Sequence, residues 1–132
     1  MSSGLVTFVL GARNYATELS AVREVVRLEG LADLPGMAPP LAGVLDLRGA
    51  ALPVLDLRPT GAVRGDVLVL EDDSYGVAVD AVRAVVPAGE LASAGTAGEE
   101  LPSYVLDVLR GAAGPVFLVD LVRMVDAVRG TA

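Results

Sequence analysis

The chain has no cysteine and no histidine, and none of its ten cationic residues is lysine. Without cysteine there is no disulfide scaffold and no thiolate metal site. Without histidine the commonest transition-metal ligand and general base is gone. The serines and aspartates therefore lack the usual partners that would turn one of them into an activated nucleophile. A phosphate-cradling Gly-x4-Gly-Lys loop cannot be written without lysine. No apolar run reaches the length of a membrane span, because Asp, Glu or Arg interrupts each one. The opening Met-Ser-Ser-Gly carries no cationic segment ahead of its apolar run, so a secretory signal is not expected and a cytoplasmic location is. Catalytic residues, metal ligands and cofactors are all expected to be absent.

The net charge is −7 over 132 residues. An acidic surface repels phosphate backbones and anionic headgroups, so nucleic acid and membrane surfaces are poor partners. The length suits one domain that buries roughly two thirds of its unfolded surface.

What the chain does contain is short apolar runs punctuated by glycine and proline. Residues 5–10 and 15–19 read as strands around the turn Gly11-Ala12-Arg13-Asn14. Ser20 is placed to cap a brief helix over 21–26. Residues 35–43, with Pro35, Gly36, Pro39, Pro40 and Gly43, read as a connection. The pentapeptide Val-Leu-Asp-Leu-Arg then occurs twice, at 44–48 and 54–58. Its alternation puts Leu45 and Leu47 on one face and Val44, Asp46 and Arg48 on the other, which predicts paired strands over 44–48 and 51–57. Residues 59–65 read as a loop, 66–70 and 75–79 as a hairpin about the acidic turn Glu71-Asp72-Asp73-Ser74, and 83–86 as a further strand. A long loop over 87–103 precedes a hairpin of 104–109 and 115–119. Asp120 is a good N-cap for a terminal helix over 121–128, with Leu121, Val122, Val125 and Val128 as its apolar stripe. Many short strands with Gly and Pro turns argue for an all-β barrel or sandwich. The loop at 59–65 splits the chain into halves too small to stand alone, which must share a core.

Two acidic features imitate chemistry. Val67-Leu68-Val69-Leu70-Glu71-Asp72-Asp73 resembles the first strand and carboxylate pocket of a phosphorylation receiver, but here a hairpin follows and the required lysine is missing. A solvated turn is the better reading, and the paired Glu99-Glu100 reads as a charged loop. Arg48 has two readings of equal weight from its chemistry: a strand-end arginine paired to a nearby carboxylate, or a recognition arginine beside the bare backbone of Gly49.

The segment Gly43 to Arg58 resembles the core motif of the CheW-like family, adaptors that couple chemoreceptors to the histidine kinase CheA. Asp46-Leu47-Arg48-Gly49 stands for its Asn-Leu-Arg-Gly, and Pro53-Val54-Leu55-Asp56-Leu57 for the strand that follows. Phe8-Val9-Leu10-Gly11 with Tyr15-Ala16, Val22-Arg23-Glu24-Val25, Leu34-Pro35, Pro40-Leu41-Ala42-Gly43-Val44, Gly76-Val77-Ala78-Val79-Asp80-Ala81-Val82, Tyr104 and Leu118-Val119-Asp120-Leu121 are similar to further family segments in the same order.

The resemblance implies one domain over 1–132, all-β, built as two intertwined five-stranded SH3-like β-barrels that share a core and end in a short C-terminal helix. The first barrel would take about 13–65, and the second about 4–12 plus 66–132. It implies a non-catalytic adaptor that joins the cytoplasmic tip of a methyl-accepting chemoreceptor to the regulatory domain of a CheA-type kinase. Receptor contacts would fall on Val22, Glu24, Val25, Gly43, Asp46, Arg48 and Gly49, and kinase contacts on Ala50, Ala51 and Leu52. Several positions depart from the family pattern. Thr17 replaces an apolar residue, Asp46 replaces Asn, and Ala50-Ala51 replace larger β-branched residues. No Arg-x-x-Pro-like stretch occurs over 92–100. These departures keep open a divergent module that binds receptor, or organises an array, without normal kinase engagement. A phosphotransfer receiver is the remote alternative.

Overall fold

The chain opens with a strand, β1 (Gly4–Leu10), that turns at once through Gly11 and Ala12 into β2 (Arg13–Glu18). Gly11 holds φ +64°, a left-handed value that glycine adopts without strain, and its N–H donates to Asp80 Oδ2 at 2.7 Å. The computed structural model describes residues 4–33, 35–58, 64–95 and 100–129. One turn of 3-10 helix at Leu19–Ala21, without a side-chain cap, leads into β3 (Val22–Arg27). The helix expected over 21–26 is therefore a strand. Val22, Val25 and Val26 are β-branched and stiff at χ1, and they pack well on a pleated surface.

The duplicated pentapeptide opens and closes a hairpin of β4 (Leu41–Leu47) and β5 (Ala50–Asp56). Arg48 and Gly49 form its two-residue loop, with φ +51° and +86°. Two consecutive positive values match the twist of flanking strands, as in type I′ hairpin turns. β6 (Asp66–Leu70) and β7 (Gly76–Val79) form the next hairpin, followed by β8 (Ala81–Pro87). A last hairpin of β9 (Val105–Gly111) and β10 (Gly114–Val119) leads into α1 (Leu121–Arg129). Asp120 caps α1 as expected, its Oδ1 accepting from the Arg123 N–H at 3.1 Å. The buried stripe is Leu121, Met124 and Val125, whereas Val122 and Val128 are half exposed. Val122 lies about 100° round the helix from Leu121, off the core-facing side, and Val128 falls in the last turn.

The strands form two five-stranded mixed sheets. The terminal sheet runs β8-β1-β2-β10-β9 and the central sheet β3-β6-β7-β5-β4. Both follow one plan: an edge strand, then an antiparallel hairpin, a parallel neighbour (β10 on β2, β5 on β7) and an antiparallel edge. Each half of the chain gives its leading hairpin to one sheet and its next three strands to the other. The terminal sheet thus holds β1 and β2 with β8, β9 and β10, and the central sheet β6 and β7 with β3, β4 and β5.

The match extends to sequence. Val22-Arg23-Glu24-Val25-Val26 in β3 corresponds to Val82-Arg83-Ala84-Val85-Val86 in β8. The pairing skips one residue at Arg23 (Val22 opposite Leu70, Glu24 opposite Val69) and likewise at Arg83 (Val82 opposite Phe8, Ala84 opposite Thr7). Chain following each of these edge strands returns to the far edge of its own sheet, through the bridges Ala32–Val44 and Ser93–Leu109.

One apolar cluster joins the sheets and the helix, with Val6 and Phe8 of β1, Leu68 and Leu70 of β6, Val77 and Val79 of β7, and Leu121 and Val125 of α1. Smaller clusters line each sheet, around Leu45, Leu52 and Val67 in the central one and around Leu5, Ala16 and Leu109 in the terminal one. β6 is buried on both faces, since Val67 and Val69 meet one cluster and Leu68 and Leu70 the other. That explains its unbroken apolar run. The loop expected over 59–65 falls outside the described residues at 59–63, and the one over 87–103 does so at 96–99. Among the described residues no helix is long and apolar enough to cross a membrane.

Candidate functional site

Strands β3 and β4 are opposite edges of the central sheet, and the turn that leaves β4 reaches a side chain of β3. Asp46 Oδ1 accepts the Gly49 N–H at 2.8 Å, fixing the turn that carries Arg48. From there the Arg48 guanidinium grips Glu24 with two hydrogen bonds, Nη1 to Oε1 at 3.0 Å and Nη2 to Oε2. The fork of an arginine matches a carboxylate in this bidentate arrangement. The Arg48 hydrogen bond is the main reason the Glu24 carboxyl is held below the usual carboxylate range. Arg48 in turn is held above its ordinary value by Glu24.

A second ion pair flanks the first. Arg23, the extra residue in the β3 pairing, lies 3.2 Å from Asp73 in the β6–β7 turn. Asp73 also acts on Arg48, and Arg23 on Glu24, so four charges of alternating sign share one patch. Asp73 sits at φ +61°, and the turn is pinned by the Glu71 N–H donating to the Ala21 carbonyl at 3.1 Å. Ser74 donates from its N–H and its hydroxyl to Asp72 Oδ1, at 3.0 and 2.7 Å, which lowers the Asp72 pKa. Glu71, Asp72 and Asp73 are all exposed, and no group of the described residues could hold a metal ion.

Of the residues singled out from the sequence, Glu24, Asp46, Arg48 and Gly49 come together on this surface, whereas Val25 follows Glu24 in β3 and faces the other side of the strand, with its pairing partner Leu68. Val25 is 42% exposed, a large apolar side chain left open to solvent. Ala50 and Ala51 are exposed beside the turn, Ala51 opposite Asp46 and Ala50 opposite Leu47. Three others point inward. Val22 is buried in the shared core, and Leu52, 2% exposed, lies in the cluster of the central sheet. Gly43 is covered by the chain's own residues, because a Cβ there would meet Leu31 Cγ at 2.6 Å and the Ala32 carbonyl at 2.7 Å. Its bare backbone admits the returning 31–32 segment, not a partner.

The two copies of Val-Leu-Asp-Leu-Arg end differently. Arg48 has 65% of its side chain exposed, whereas the Arg58 side chain is 2% exposed. Arg58 folds back on Asp56 through Nε to Oδ1 at 2.9 Å and Nη2 to Oδ2 at 2.8 Å, and Nη1 donates to the Arg64 carbonyl at 2.5 Å. One copy runs into a hairpin turn and the other runs past the end of β5, so one arginine serves the surface and the other the scaffold. Sequence reasoning missed the Arg23–Asp73 pair. Its signal was the repeat of Val-Arg-x-Val-Val at 22–26 and 82–86, which marks the irregular strand that turns Arg23 outward.

A family model described as CheW-like domain matches residues 4–129. The chemotaxis protein CheW of Bacillus subtilis is 26% identical over 95 residues, covering 65% of this chain and 61% of that protein. That of Treponema pallidum is 26% identical over 95 residues, covering 62% and 56%. These matches span about three fifths of each relative's length. The crystal structure of the scaffolding protein TtCheW from Thermoanaerobacter tengcongensis has the same fold, with a TM-score of 0.71 at 22% identity over 92% of this chain and 86% of that one.

Proposed function

Because this chain belongs to the CheW-like domain family, matched over residues 4–129, we propose that it is a non-catalytic, cytoplasmic adaptor of chemosensory signalling. In this reading it couples the helical cytoplasmic tip of a chemoreceptor to the regulatory domain of a CheA-type kinase. One observation carries it: the exposed, bidentate Arg48–Glu24 clasp at the β4–β5 turn. The clasp holds a guanidinium rigid and outward, with donors left for a partner's carboxylate or amide oxygen, while Val25 offers apolar contact to a helix. Receptor contact falls on Glu24, Val25, Asp46, Arg48 and Gly49, with Val22 and Gly43 supporting them from beneath. Each sheet is read as curling into a barrel, which the clasp and the Ala32–Val44 and Ser93–Leu109 bridges favour.

A second reading is a divergent adaptor that binds receptor but engages the kinase weakly. Leu52 lies inside the central sheet, which leaves only Ala50 and Ala51 at the proposed kinase edge. Separate titrations of the full chain with a receptor-tip fragment and with a kinase regulatory domain test both readings. Binding to each supports the coupling adaptor, and binding to receptor alone supports the divergent one. Binding to neither overturns the proposal.

A further inference from the structure

The chain has only three tyrosines and two phenylalanines. Tyr15, Tyr104 and Phe117 line a single recess of about 310 Å³ on the terminal sheet, together with Leu101, Pro102 and Arg13. Phe8 stacks under Tyr15 with ring centroids 5.6 Å apart, and Phe117 tilts against Tyr15 at 5.9 Å, so the aromatic faces are held in place from behind. The duplicated plan puts a recess at the matching place on the central sheet. The Val105 N–H donates to Pro102 O as Leu41 does to Ala38 O, and Asp120 donates to Tyr104 O as Asp56 does to Pro40 O. That second recess is lined by Met37, Ala38, Pro40, Leu41 and Pro53, with Tyr75 as its one aromatic. Equivalent backbone thus carries three aromatics in one recess and one in the other. At the rim of the aromatic recess Arg13 is exposed, donates a hydrogen bond to the Tyr15 hydroxyl, and forms no ion pair among the described residues.

We propose that the recess of Arg13, Tyr15, Pro102, Tyr104 and Phe117 is a second binding site, which receives an extended, proline-containing segment of a partner protein with an acidic residue next to the proline. Flat aromatic faces stack on pyrrolidine rings, and a polyproline II segment reaches such a site with little ordering entropy left to lose. Tyrosine hydroxyls suit its free carbonyls. Arg13 pairs with the adjacent carboxylate in a chain whose net charge of −7 disfavours acidic ligands elsewhere. The site lies on the other sheet from the Arg48 surface and does not depend on it.

The probe is the peptide acetyl-Pro-Pro-Ala-Pro-Asp-amide, titrated into the full chain while the aromatic resonances are followed by NMR. Tyr15, Tyr104 and Phe117 should move with one common affinity while Tyr75 stays still. Replacing the peptide's Asp by Lys should weaken binding by about tenfold, a difference of about 1.4 kcal/mol. Arg13→Gln should erase the preference for Asp over Lys while retaining residual binding, and Tyr104→Ala should abolish binding to both peptides. If Tyr104→Ala unfolds, Arg13→Gln still decides the matter, since its exposed side chain leaves the core untouched. No shift at millimolar peptide, equal response of Tyr75, or an Asp preference that survives Arg13→Gln would each overturn the proposal. Tight binding of benzoate with no response to the proline peptide would overturn it as well, by making the recess a small-molecule site.

Discussion

Arg48, in the turn that leaves one edge strand of a five-stranded sheet, holds with its guanidinium both carboxylate oxygens of Glu24 on the opposite edge strand. An ion pair this open to solvent contributes little to folding. Its effect is geometric. It fixes the direction of a long, entropic side chain on a turn already set by Asp46, so a partner meets an ordered guanidinium.

Arg48→Ala should therefore weaken receptor-tip binding by about tenfold or more while moving the melting temperature by only about a degree. Glu24→Gln should cause a smaller loss, because the guanidinium keeps its charge but not its orientation. The check is calorimetric titration beside thermal melts of both variants. Full affinity in Arg48→Ala with unchanged stability would remove the clasp from the binding surface.

The clasp also sets a pH dependence. Glu24 is held below its ordinary value in the folded chain, chiefly by Arg48. A carboxyl so depressed contributes its full stabilisation above the unfolded value, about 4.3, and loses it as pH falls through the lower folded value. The clasp should persist through neutral and mildly acidic solution and open only once the pH falls below the ordinary carboxylate range. Carboxyl-carbon NMR of Glu24 should follow that course. In Arg48→Ala its midpoint should rise toward the ordinary value, while Asp72, lowered by Ser74, should not move.

Arg58 should behave oppositely to Arg48. Its guanidinium is enclosed, so Arg58→Ala strands the Asp56 carboxylate and leaves the Arg64 carbonyl without its donor. A loss of about 3 kcal/mol is expected. Urea unfolding measures it, and a change below about 0.5 kcal/mol, the range of ordinary surface substitutions, would show that the enclosed pair is dispensable.

Identical pentapeptides with opposite fates show where the sequence was legible and where it was not. Period-two alternation placed Leu45 inward and Asp46 outward, and glycine and proline marked most turns. Alternation along one strand does not reveal what lies across the sheet. Arg48 and Glu24 meet only because both edges come to one place, and Leu31 covers Gly43 only because the chain after β3 returns to β4. Local propensity read 21–26 as a helix behind Ser20, whereas pairing with β6 makes it a strand. The duplication itself was readable in Val22-Arg23-Glu24-Val25-Val26 and Val82-Arg83-Ala84-Val85-Val86, but at a spacing of sixty residues it is easily passed over. The swapped hairpins then move its two copies onto different sheets.

Burial ranks Leu47, which the alternation sets on the Leu45 face, below Leu52, which the family resemblance gave as a kinase contact. Leu52 is fully enclosed, so Leu52→Ala should cost about 2–5 kcal/mol from lost burial and the cavity left behind. Leu47, opposite Ala50, is half-buried at the rim of the same cluster, and Leu47→Ala should cost about 1–2 kcal/mol. Chemical denaturation of the two variants tests the order. A larger loss at Leu47 would mean that the β4–β5 register is shifted by one residue.

The edge beside the turn bears on which of the two proposed readings holds. With Leu52 inside, Ala50 and Ala51 are the exposed residues there, and together they offer a partner little more than two methyl groups. Ala50→Val with Ala51→Ile adds apolar area that a kinase regulatory domain could bury at about 25 cal/mol per Å², or about 1–3 kcal/mol over both positions. That corresponds to roughly one to two decades of affinity. Receptor-tip binding should not change, since neither substitution touches Arg48, Glu24 or Val25. Calorimetry of parent and double variant against each partner separates the outcomes. A kinase affinity that rises as stated identifies an adaptor whose kinase edge has been pared back. A parent that already binds the kinase tightly, and gains nothing from the added methyls, places the kinase contact elsewhere on the chain and favours the ordinary coupling role.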